Sequence, residues 1–137
     1  MPDTPKIFTI EEANEQLHHV TEFLQQLQGL HGSLLKTNQG LDERVGKLSA
    51  GNGYPIQELR KEVAELTAHQ LHLVQAFQSA YEQLEEMGCV LKDLAQGLVD
   101  FYAMRGGELV FLCWRLGEER IRCWHGVEEG FAGRQPL

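Results

Sequence analysis

The sequence lacks the features that would assign it at once to a membrane class or to a nucleic-acid-binding class. It contains no run of about 18 apolar residues, so we predict no membrane-spanning helix. It also lacks a basic stripe. The 137 residues carry a formal net charge of -8, which disfavours contact with phosphate backbones and with anionic membrane surfaces. We therefore expect neither a nucleic-acid partner nor a membrane partner.

Cysteine is scarce, and the first residues lack the pattern of an export signal. The chain has three cysteines, Cys89, Cys113 and Cys123, which is an odd number without CxxC spacing. Residues 1–6 lack the basic region and the apolar region of a signal peptide. We expect a cytoplasmic protein, because this cysteine content fits a reducing compartment better than a disulfide framework.

Long apolar repeats are present, and the first of them predicts a helix over about residues 10–48. Thr9-Ile-Glu-Glu12 has the spacing of a capping box. Mostly apolar residues then recur at every third or fourth position up to Leu48, as on one face of a coiled-coil helix, with the polar residues His31 and Asn38 at two positions of the series. Four glycines within this repeat, Gly40 among them, weaken the helix and predict a break or bend near 37–40.

A second repeat predicts a helix over about residues 55–87, antiparallel to the first. Residues 49–54 have the composition of a short turn, Pro55 suits the first helical position, and Gly88 suits the residue after a helix end. Folding about residue 52 places Leu34 near Gln70. Two helices alone bury too little apolar surface to be stable. The C-terminal segment, a second subunit or both must therefore cover the apolar stripe of the hairpin. We expect a homodimer in which the hairpins associate, with a four-helix arrangement as one form of that association.

The remaining residues predict a small, mainly antiparallel β-sheet, which gives an α+β fold. β-branched and aromatic residues bounded by glycines mark strands at 89–91, 98–102, 108–115 and 120–124. Successive side chains along a strand point to opposite faces of the sheet, and the helices could pack on either face. One face carries Val110, Leu112, Trp114, Arg122 and Trp124, and the other carries Phe111, Cys113, Arg115, Ile121, Cys123 and His125. We expect a single domain over 1–137, with the helical hairpin at 9–87 and the β-rich module at 89–137.

The last two strands form a hairpin through residues 116–119 and bring two cysteines together. In this register Cys113 lies opposite Cys123. Cross-strand neighbours are close enough for a strained disulfide. Two reduced, buried thiols are the expected state in a cytoplasmic protein.

Several short stretches resemble the signature of a known family. Four lie near the C-terminus: Gly97-Leu-Val-Asp-Phe101, Cys113-Trp-Arg-Leu-Gly-Glu118, Trp124-His125 and Gly130-Phe-Ala-Gly-Arg-Gln-Pro136. A fifth, Phe8-Thr-Ile-Glu-Glu-Ala-Asn14, lies at the start. Together they resemble the prokaryotic domain of unknown function family 2203. The resemblance implies membership over the whole length of the chain, and it implies no activity.

The polar and aromatic residues of the C-terminal stretches are the candidate site. Arginines supply planar donors for a carboxylate or a phosphate, and tryptophans supply flat apolar walls. The ligand-binding candidates are Asp100, Trp114, Arg115, Glu118, Arg122, Trp124, His125 and Arg134. The same residues also fit a structural role, with arginines paired to acids and tryptophans in the core.

No metal and no cofactor is predicted, because CxxC and HxxxH spacings are missing. If a metal bound, its ligands would be Cys113, Cys123 and His125, with Asp100 or Glu118. Catalytic residues are not defined by the sequence, and whether the protein is an enzyme stays open.

Two functions follow from these observations. The first is a non-enzymatic interaction or scaffold protein that self-associates through its helical hairpin. Its C-terminal module would bind a protein partner or a small anionic ligand. The alternative is a small metal-dependent or thiol-based enzyme centred on Asp100, Cys113, Glu118 and His125.

Overall fold

The computed structural model describes residues 4–51 and 53–137, so residues 1–3 and Asn52 of the predicted turn lie outside the described residues. Two long helices precede a five-stranded antiparallel sheet, which confirms the predicted α+β fold. The elements are α1 (Ile10–Ala50), α2 (Ile56–Glu86), β1 (Cys89–Asp93), β2 (Leu98–Arg105), β3 (Glu108–Arg115), β4 (Cys123–Gly126) and β5 (Gln135–Pro136), with a 3-10 turn at Phe131–Gly133. None of the described helices carries an apolar stretch that could cross a membrane.

Helix α1 begins at the predicted capping box. The Thr9 backbone N–H donates to Glu12 Oε1 (2.8 Å), and the Glu12 N–H donates to Thr9 Oγ1 (3.1 Å). These reciprocal bonds satisfy two backbone amides that would otherwise be unpaired at the helix start. The bond from the Thr9 N–H also holds the pKa of Glu12 below its usual range, because it stabilises the ionised carboxylate.

Helix α1 is continuous from Ile10 to Ala50, so the predicted break near 37–40 is wrong. A glycine costs a helix only about 1 kcal/mol relative to alanine, and contacts with α2 offset that cost. Arg44 Nη1 donates to the Gly40 carbonyl oxygen (3.1 Å), and Arg44 Nε lies 3.4 Å from Glu62 Oε2. A Cβ added at Gly40 would lie 3.5 Å from Leu66 Cδ1, so α2 packs closely at this position.

The register of the two helices differs from the prediction by about one helical turn. Gln70 Nε2 donates to Asn38 Oδ1 (2.6 Å), so Asn38, rather than Leu34, pairs with Gln70. The helices end at Ala50 and begin again at Ile56, which moves the fold axis beyond residue 52. This hydrogen bond joins two polar residues of the predicted apolar seam across the helix pair.

The sheet is a meander in which each strand pairs with the next one in the chain. The predicted start of the fourth strand at Arg120 is wrong, because β4 begins at Cys123. The preceding connection is held outside the sheet by Glu118, whose Oε1 accepts the Arg115 N–H (2.7 Å) and whose carbonyl oxygen accepts Trp114 Nε1–H (3.0 Å). The predicted register is confirmed, since Cys113 lies opposite Cys123.

The chain contains two compact units, one formed by Leu27–Ser79 and the other by the chain up to Gln26 together with Ala80–Leu137. The single-domain organisation stays a prediction. In the unit that holds the sheet, the Phe8 ring packs edge-on against Phe101, with centroids 5.2 Å apart. The Phe101 face of the sheet is therefore the face packed against the segment that leads into α1. The opposite face carries the candidate site.

Candidate functional site

Three chemically active side chains meet on the sheet face opposite Phe101. Asp100 on β2 pairs with Cys113 on β3. His125 on β4 lies opposite Phe111, which is two residues before Cys113 on β3 and so on the same face. A carboxylate oxygen of Asp100, Cys113 Sγ and a ring nitrogen of His125 all lie within 4.8 Å of one another. Each of the three residues is at most 2% exposed. The sheet thus collects an oxygen, a sulfur and a nitrogen ligand at one buried point.

Both ring nitrogens of His125 have an acceptor within hydrogen-bonding distance. Nδ1 lies 2.8 Å from the Gly126 carbonyl oxygen, and Nε2 lies 3.0 Å from Asp100 Oδ2. A carbonyl oxygen can only accept, so Nδ1 carries a hydrogen and donates it. Nε2 then faces Asp100 Oδ2, so the ring is oriented by a backbone carbonyl on one side and a carboxyl group on the other.

Asp100 is buried close to two basic side chains, His125 and Lys92. Burial raises the pKa of its carboxyl group above the usual range, while the charges of His125 and Lys92 and hydrogen bonds from His125 and Cys113 oppose that rise. Lys92 Nζ lies 4.0 Å from Asp100 Oδ2, and it also lies 4.5 Å from the centroid of the Phe111 ring. Lys92 therefore compensates part of the charge that an ionised Asp100 brings into the sheet face.

Cys113 is held as a thiol. Burial, followed by the negative charge of Asp100, raises the pKa of Cys113 to about 12, and Arg134 opposes this rise. The nitrogen that could act as a base, His125 Nε2, is already bonded to Asp100. Nucleophilic cysteines need a thiolate next to an available base. The geometry therefore disfavours the thiol-based enzyme among the two chemistries of the alternative function.

The three side chains form the floor of a cavity of about 230 Å3. Its other described lining residues are Lys92, Asp93, Leu98, Glu129, Gly130 and Phe131. The carboxylate of Asp93 accepts the Gln96 N–H (3.0 Å), which holds the pKa of Asp93 below its usual range. Carboxylates from three residues and an ammonium group from one thus surround the cavity, and this balance favours a bound cation.

The segment after β4 covers the cavity and is held in place by Glu129. Glu129 Oε1 accepts the Gly126 N–H (2.8 Å). A Cβ added at Gly126 would lie 2.8 Å from Oε1, and a Cβ added at Gly133 would lie 3.1 Å from Oε2. The two glycines therefore make the space in which the Glu129 carboxylate sits. We call residues 126–133 the cover loop.

The sequence profile of a family described as "Uncharacterized conserved protein (DUF2203)" matches residues 6–137. The chain belongs to the DUF2203 family. No curated protein and no solved structure matches it.

Within this DUF2203 protein, the C-terminal stretch from Gly130 to Pro136 completes the cover loop and its attachment. Gly130 and Phe131 line the cavity. The Arg134 guanidinium lies 4.0 Å from the centroid of the Phe131 ring, and Arg134 Nη1 lies 3.5 Å from Glu118 Oε2. Because Glu118 also bonds the end of β3, this chain of contacts ties the cover loop to the sheet.

The candidate residues from the sequence divide between the two faces of the sheet and its surface. Asp100 and His125 meet in the site, together with Cys113. Trp114 is 1% exposed on the Phe101 face, and Trp124 lies on that same face with the Arg105 guanidinium 4.7 Å from its ring centroid. Arg115 and Arg122 are exposed. Among the described residues, Cys123 and Glu118 are not part of the three-ligand group.

Sequence reasoning missed three charged residues that line the cavity, Lys92, Asp93 and Glu129. Lys92 lies at an irregularity in β1, between Leu91 and Asp93, where alternation along the strand does not apply. Glu129 immediately precedes the signature stretch Gly130-Phe-Ala-Gly-Arg-Gln-Pro136 and lies outside it. The spacing Gly-x-x-Glu from Gly126 to Glu129, which allows a side-chain bond back to the Gly126 N–H, was the available signal.

Proposed function

We propose that the protein binds a divalent transition-metal ion of the zinc class through Asp100, Cys113 and His125. The observation that carries this proposal is the buried meeting of three different ligand atoms at the floor of a cavity. Thiolate, imidazole and carboxylate together suit zinc better than magnesium or calcium, which prefer oxygen ligands alone. This proposal selects the metal-dependent version of the alternative function.

The distances support such a site with small movements. Ligands at the usual zinc distances, arranged as a tetrahedron, lie about 3.3–3.8 Å apart. His125 Nε2 and Asp100 Oδ2 are 3.0 Å apart, and all three ligand atoms lie within 4.8 Å of one another. The metal ion would take the place of the direct contact between His125 Nε2 and Asp100 Oδ2. Cys113 would bind as the thiolate, because a coordinating thiol loses its proton.

The surroundings of His125 also favour a metal. Histidine ligands usually donate their second ring N–H to a carbonyl or a carboxylate, which fixes the tautomer and the ring orientation. His125 Nδ1 has the Gly126 carbonyl oxygen for this purpose, which leaves Nε2 directed at Asp100. The orientation needed for metal binding is therefore present before a metal arrives.

Three protein ligands leave a fourth position for water or a small ligand, as in catalytic rather than structural zinc sites. That position would face the cavity of about 230 Å3. The ion would supply Lewis acidity there, by polarising an oxygen of a bound molecule or by lowering the pKa of bound water. Lys92, at the cavity wall, would bind a negatively charged oxygen of that molecule.

Cobalt substitution tests the metal site directly. Purified, metal-free protein is titrated with Co2+ and with Zn2+, and we expect about one equivalent bound per chain. A sulfur-to-cobalt charge-transfer band should appear in the wild type and in Cys123→Ser, and it should be lost in Cys113→Ser. Asp100→Asn should weaken binding, although asparagine keeps a hydrogen bond to His125. Absence of the band from the wild type, or its persistence in Cys113→Ser, would overturn the proposal.

We propose self-association through the helical hairpin as a second candidate function. The protein would then be a homodimer. Within the unit Leu27–Ser79, the buried residues are Leu27, Thr37, Leu59 and Leu73. Leu35 and Leu71 are 52% and 59% exposed. A pair of helices with so little core needs another layer, and a second copy of the hairpin would supply it as a four-helix arrangement.

Sedimentation equilibrium tests this association. We expect the wild type to be a dimer and the double variant Leu35→Glu, Leu71→Glu to be a monomer with unchanged helix content. Gln75→Glu, which adds one negative charge at an exposed polar position of α2 without removing an apolar side chain, is the control and should stay dimeric. A monomeric wild type would rule out the homodimer.

A further inference from the structure

We propose that Cys123 and Cys113 form a peroxide-sensitive thiol pair, and that its oxidation to a disulfide releases the metal ion. The inference rests on the proposed metal site and names its regulation. Cys113 would have two partners, the metal ion in the reduced protein and Cys123 in the oxidised protein. Because one sulfur atom cannot serve both, the redox state of the pair would decide whether the metal is held.

The register of β3 and β4 supports this pairing. Cys113 and Cys123 are directly opposite each other in antiparallel strands, so both side chains project from the same face. Such pairs have Cα atoms about 4.5–5.5 Å apart, which lies within the range of about 4.4–6.8 Å found for disulfides. The Cβ atoms of cross-strand pairs are somewhat wider apart than in a relaxed disulfide. The resulting bond would be strained and therefore easily reduced, as a reversible switch requires.

The two thiols differ in access to an oxidant. Cys113 is 1% exposed, whereas Cys123 is half-buried. Cys123 lies on β4, whose outer neighbour is the two-residue strand β5, with Pro136 opposite Cys123. Cys123 is therefore the thiol that peroxide reaches first, and Cys113 is the resolving thiol.

The oxidation consumes one hydrogen peroxide molecule. The Cys123 thiolate attacks one peroxide oxygen, an S–O bond forms, the O–O bond breaks, and the departing hydroxide takes a proton to become water. The Cys113 thiolate, released from the metal, then attacks the Cys123 sulfur. The S–S bond forms, the S–O bond breaks, and the second hydroxide leaves as water after protonation. Two thiols are oxidised and the peroxide is reduced to two waters.

The disulfide would leave the metal ion with Asp100 and His125. Two ligands are fewer than the three that catalytic zinc sites use, so the ion would dissociate. Reduction of the disulfide would restore Cys113 and the site. Disulfides of this transient kind are the ones found in reducing compartments.

The experiment follows thiols and zinc together in zinc-loaded protein treated with increasing hydrogen peroxide. Free thiols are counted by alkylation and mass spectrometry, and released zinc is measured with a chromogenic chelator. We expect the wild type to lose two of its three thiols while it releases its zinc, and a thiol reductant to reverse both changes. Cys123→Ser should keep its zinc at the same peroxide doses. Cys89→Ser is the matched control and should behave as the wild type, because Cys89 pairs with Phe101 on the other sheet face.

Each outcome decides a separate point. If the reduced wild type binds no zinc, the proposed metal site fails before any oxidant is added. If zinc binds but all three thiols survive peroxide, the thiol pair is overturned and the metal site stands. Equal zinc release from Cys123→Ser, or a disulfide that leaves the zinc bound, would likewise overturn the switch alone.

Discussion

At the residue scale, Gly97 is a position where the backbone and its surroundings both require glycine. Its φ is +69°, and a Cβ placed there would lie 2.5 Å from Leu116 Cβ. The Gly97 carbonyl oxygen also accepts the Leu116 N–H (2.9 Å), so the two residues are held together. Relief of the clash would therefore need a shift of the chain that leaves β3.

We expect Gly97→Ala to lower the free energy of unfolding by about 2–4 kcal/mol, from backbone strain together with overpacking. Gly106→Ala is the matched control. Gly106 also has a positive φ, +58°, but a Cβ there would meet open space. Its cost should be about 1–2 kcal/mol, from backbone conformation alone. Equal costs in urea denaturation would contradict the steric argument at Leu116.

The buried thiol of Cys89 makes stability depend on alkaline pH. Burial raises the pKa of Cys89 to about 12, and Cys89 Sγ donates to the Leu84 carbonyl oxygen (3.4 Å). The folded state therefore holds this proton to a higher pH than the unfolded chain, whose thiol pKa is about 8.5. The contribution of the neutral thiol is complete below that unfolded value and is lost as the pH rises toward 12.

We expect the free energy of unfolding to fall more steeply between about pH 8.5 and pH 10.5 in the wild type than in Cys89→Ala. The difference between the two proteins removes the contributions of other titrating groups. Urea denaturation at a series of pH values measures it. Parallel pH profiles would show that the Cys89 thiol has the same pKa in both states.

At the element scale, the alternation of side chains along the strands predicted two of the three residues of the site. It placed Cys113 and His125 on one face, because both lie in the hairpin of β3 and β4. It did not bring Asp100 to them, since the pairing of β2 with β3 was left open. Gly106 and Gly107, with φ of +58° and +80°, form the two-residue turn that sets this pairing. Counting back from that turn puts Asp100 opposite Cys113.

Helix positions were predicted well from apolar spacing, whereas helix contacts were not. The capping box at Thr9 and the ends of both helices follow from local sequence. The continuity of α1 and the pairing of Asn38 with Gln70 depend on contacts between the helices, which a one-dimensional pattern does not contain. Tertiary contacts outweigh the local weakness of the glycines.

The cover loop should open when Glu129 loses its carboxylate. Glu129→Ala removes the charged acceptor of the Gly126 N–H. A hydrogen bond to a charged group contributes about 1.5–3 kcal/mol, and Glu129 is exposed, so we take the lower end. Labelling of Cys113 by a thiol reagent, followed by peptide mass mapping, should become about tenfold faster.

Glu128→Ala is the control for this change, because Glu128 is an exposed acid one residue earlier in the cover loop. It should leave the labelling rate of Cys113 unchanged. If both variants label at the wild-type rate, Glu129 does not hold the loop closed. If both label faster by the same factor, the effect is one of net charge.

At the scale of the whole molecule, the two compact units differ in the depth of their cores. The sheet unit buries large side chains completely, among them Phe101 and Trp114. Among its described residues, the unit Leu27–Ser79 buries Leu27, Leu59, Leu73 and the polar Thr37. Local opening is easiest where few apolar contacts must be broken. Each unit should therefore show its own opening free energy.

We expect amide hydrogen exchange to be faster in residues 27–79 than in β2 and β3. If the hairpin self-associates, protection in residues 27–79 should rise with protein concentration while that of the strands stays constant. Exchange mass spectrometry at two protein concentrations measures both effects. Equal protection in the helices and the strands would contradict the difference in core depth.

Both tryptophans belong to the sheet unit, and the unit Leu27–Ser79 has none. Trp114 is 1% exposed and bonded to the Glu118 carbonyl oxygen, while Trp124 is half-buried beneath Arg105. Intrinsic fluorescence therefore observes the sheet alone, with one emitter in an apolar setting and one beside a cation. Far-ultraviolet circular dichroism, in contrast, is dominated by the helices. Most of the helical residues lie in Leu27–Ser79, although both helices extend into the sheet unit. Two ordinary optical signals thus weight the two units differently in unmodified protein.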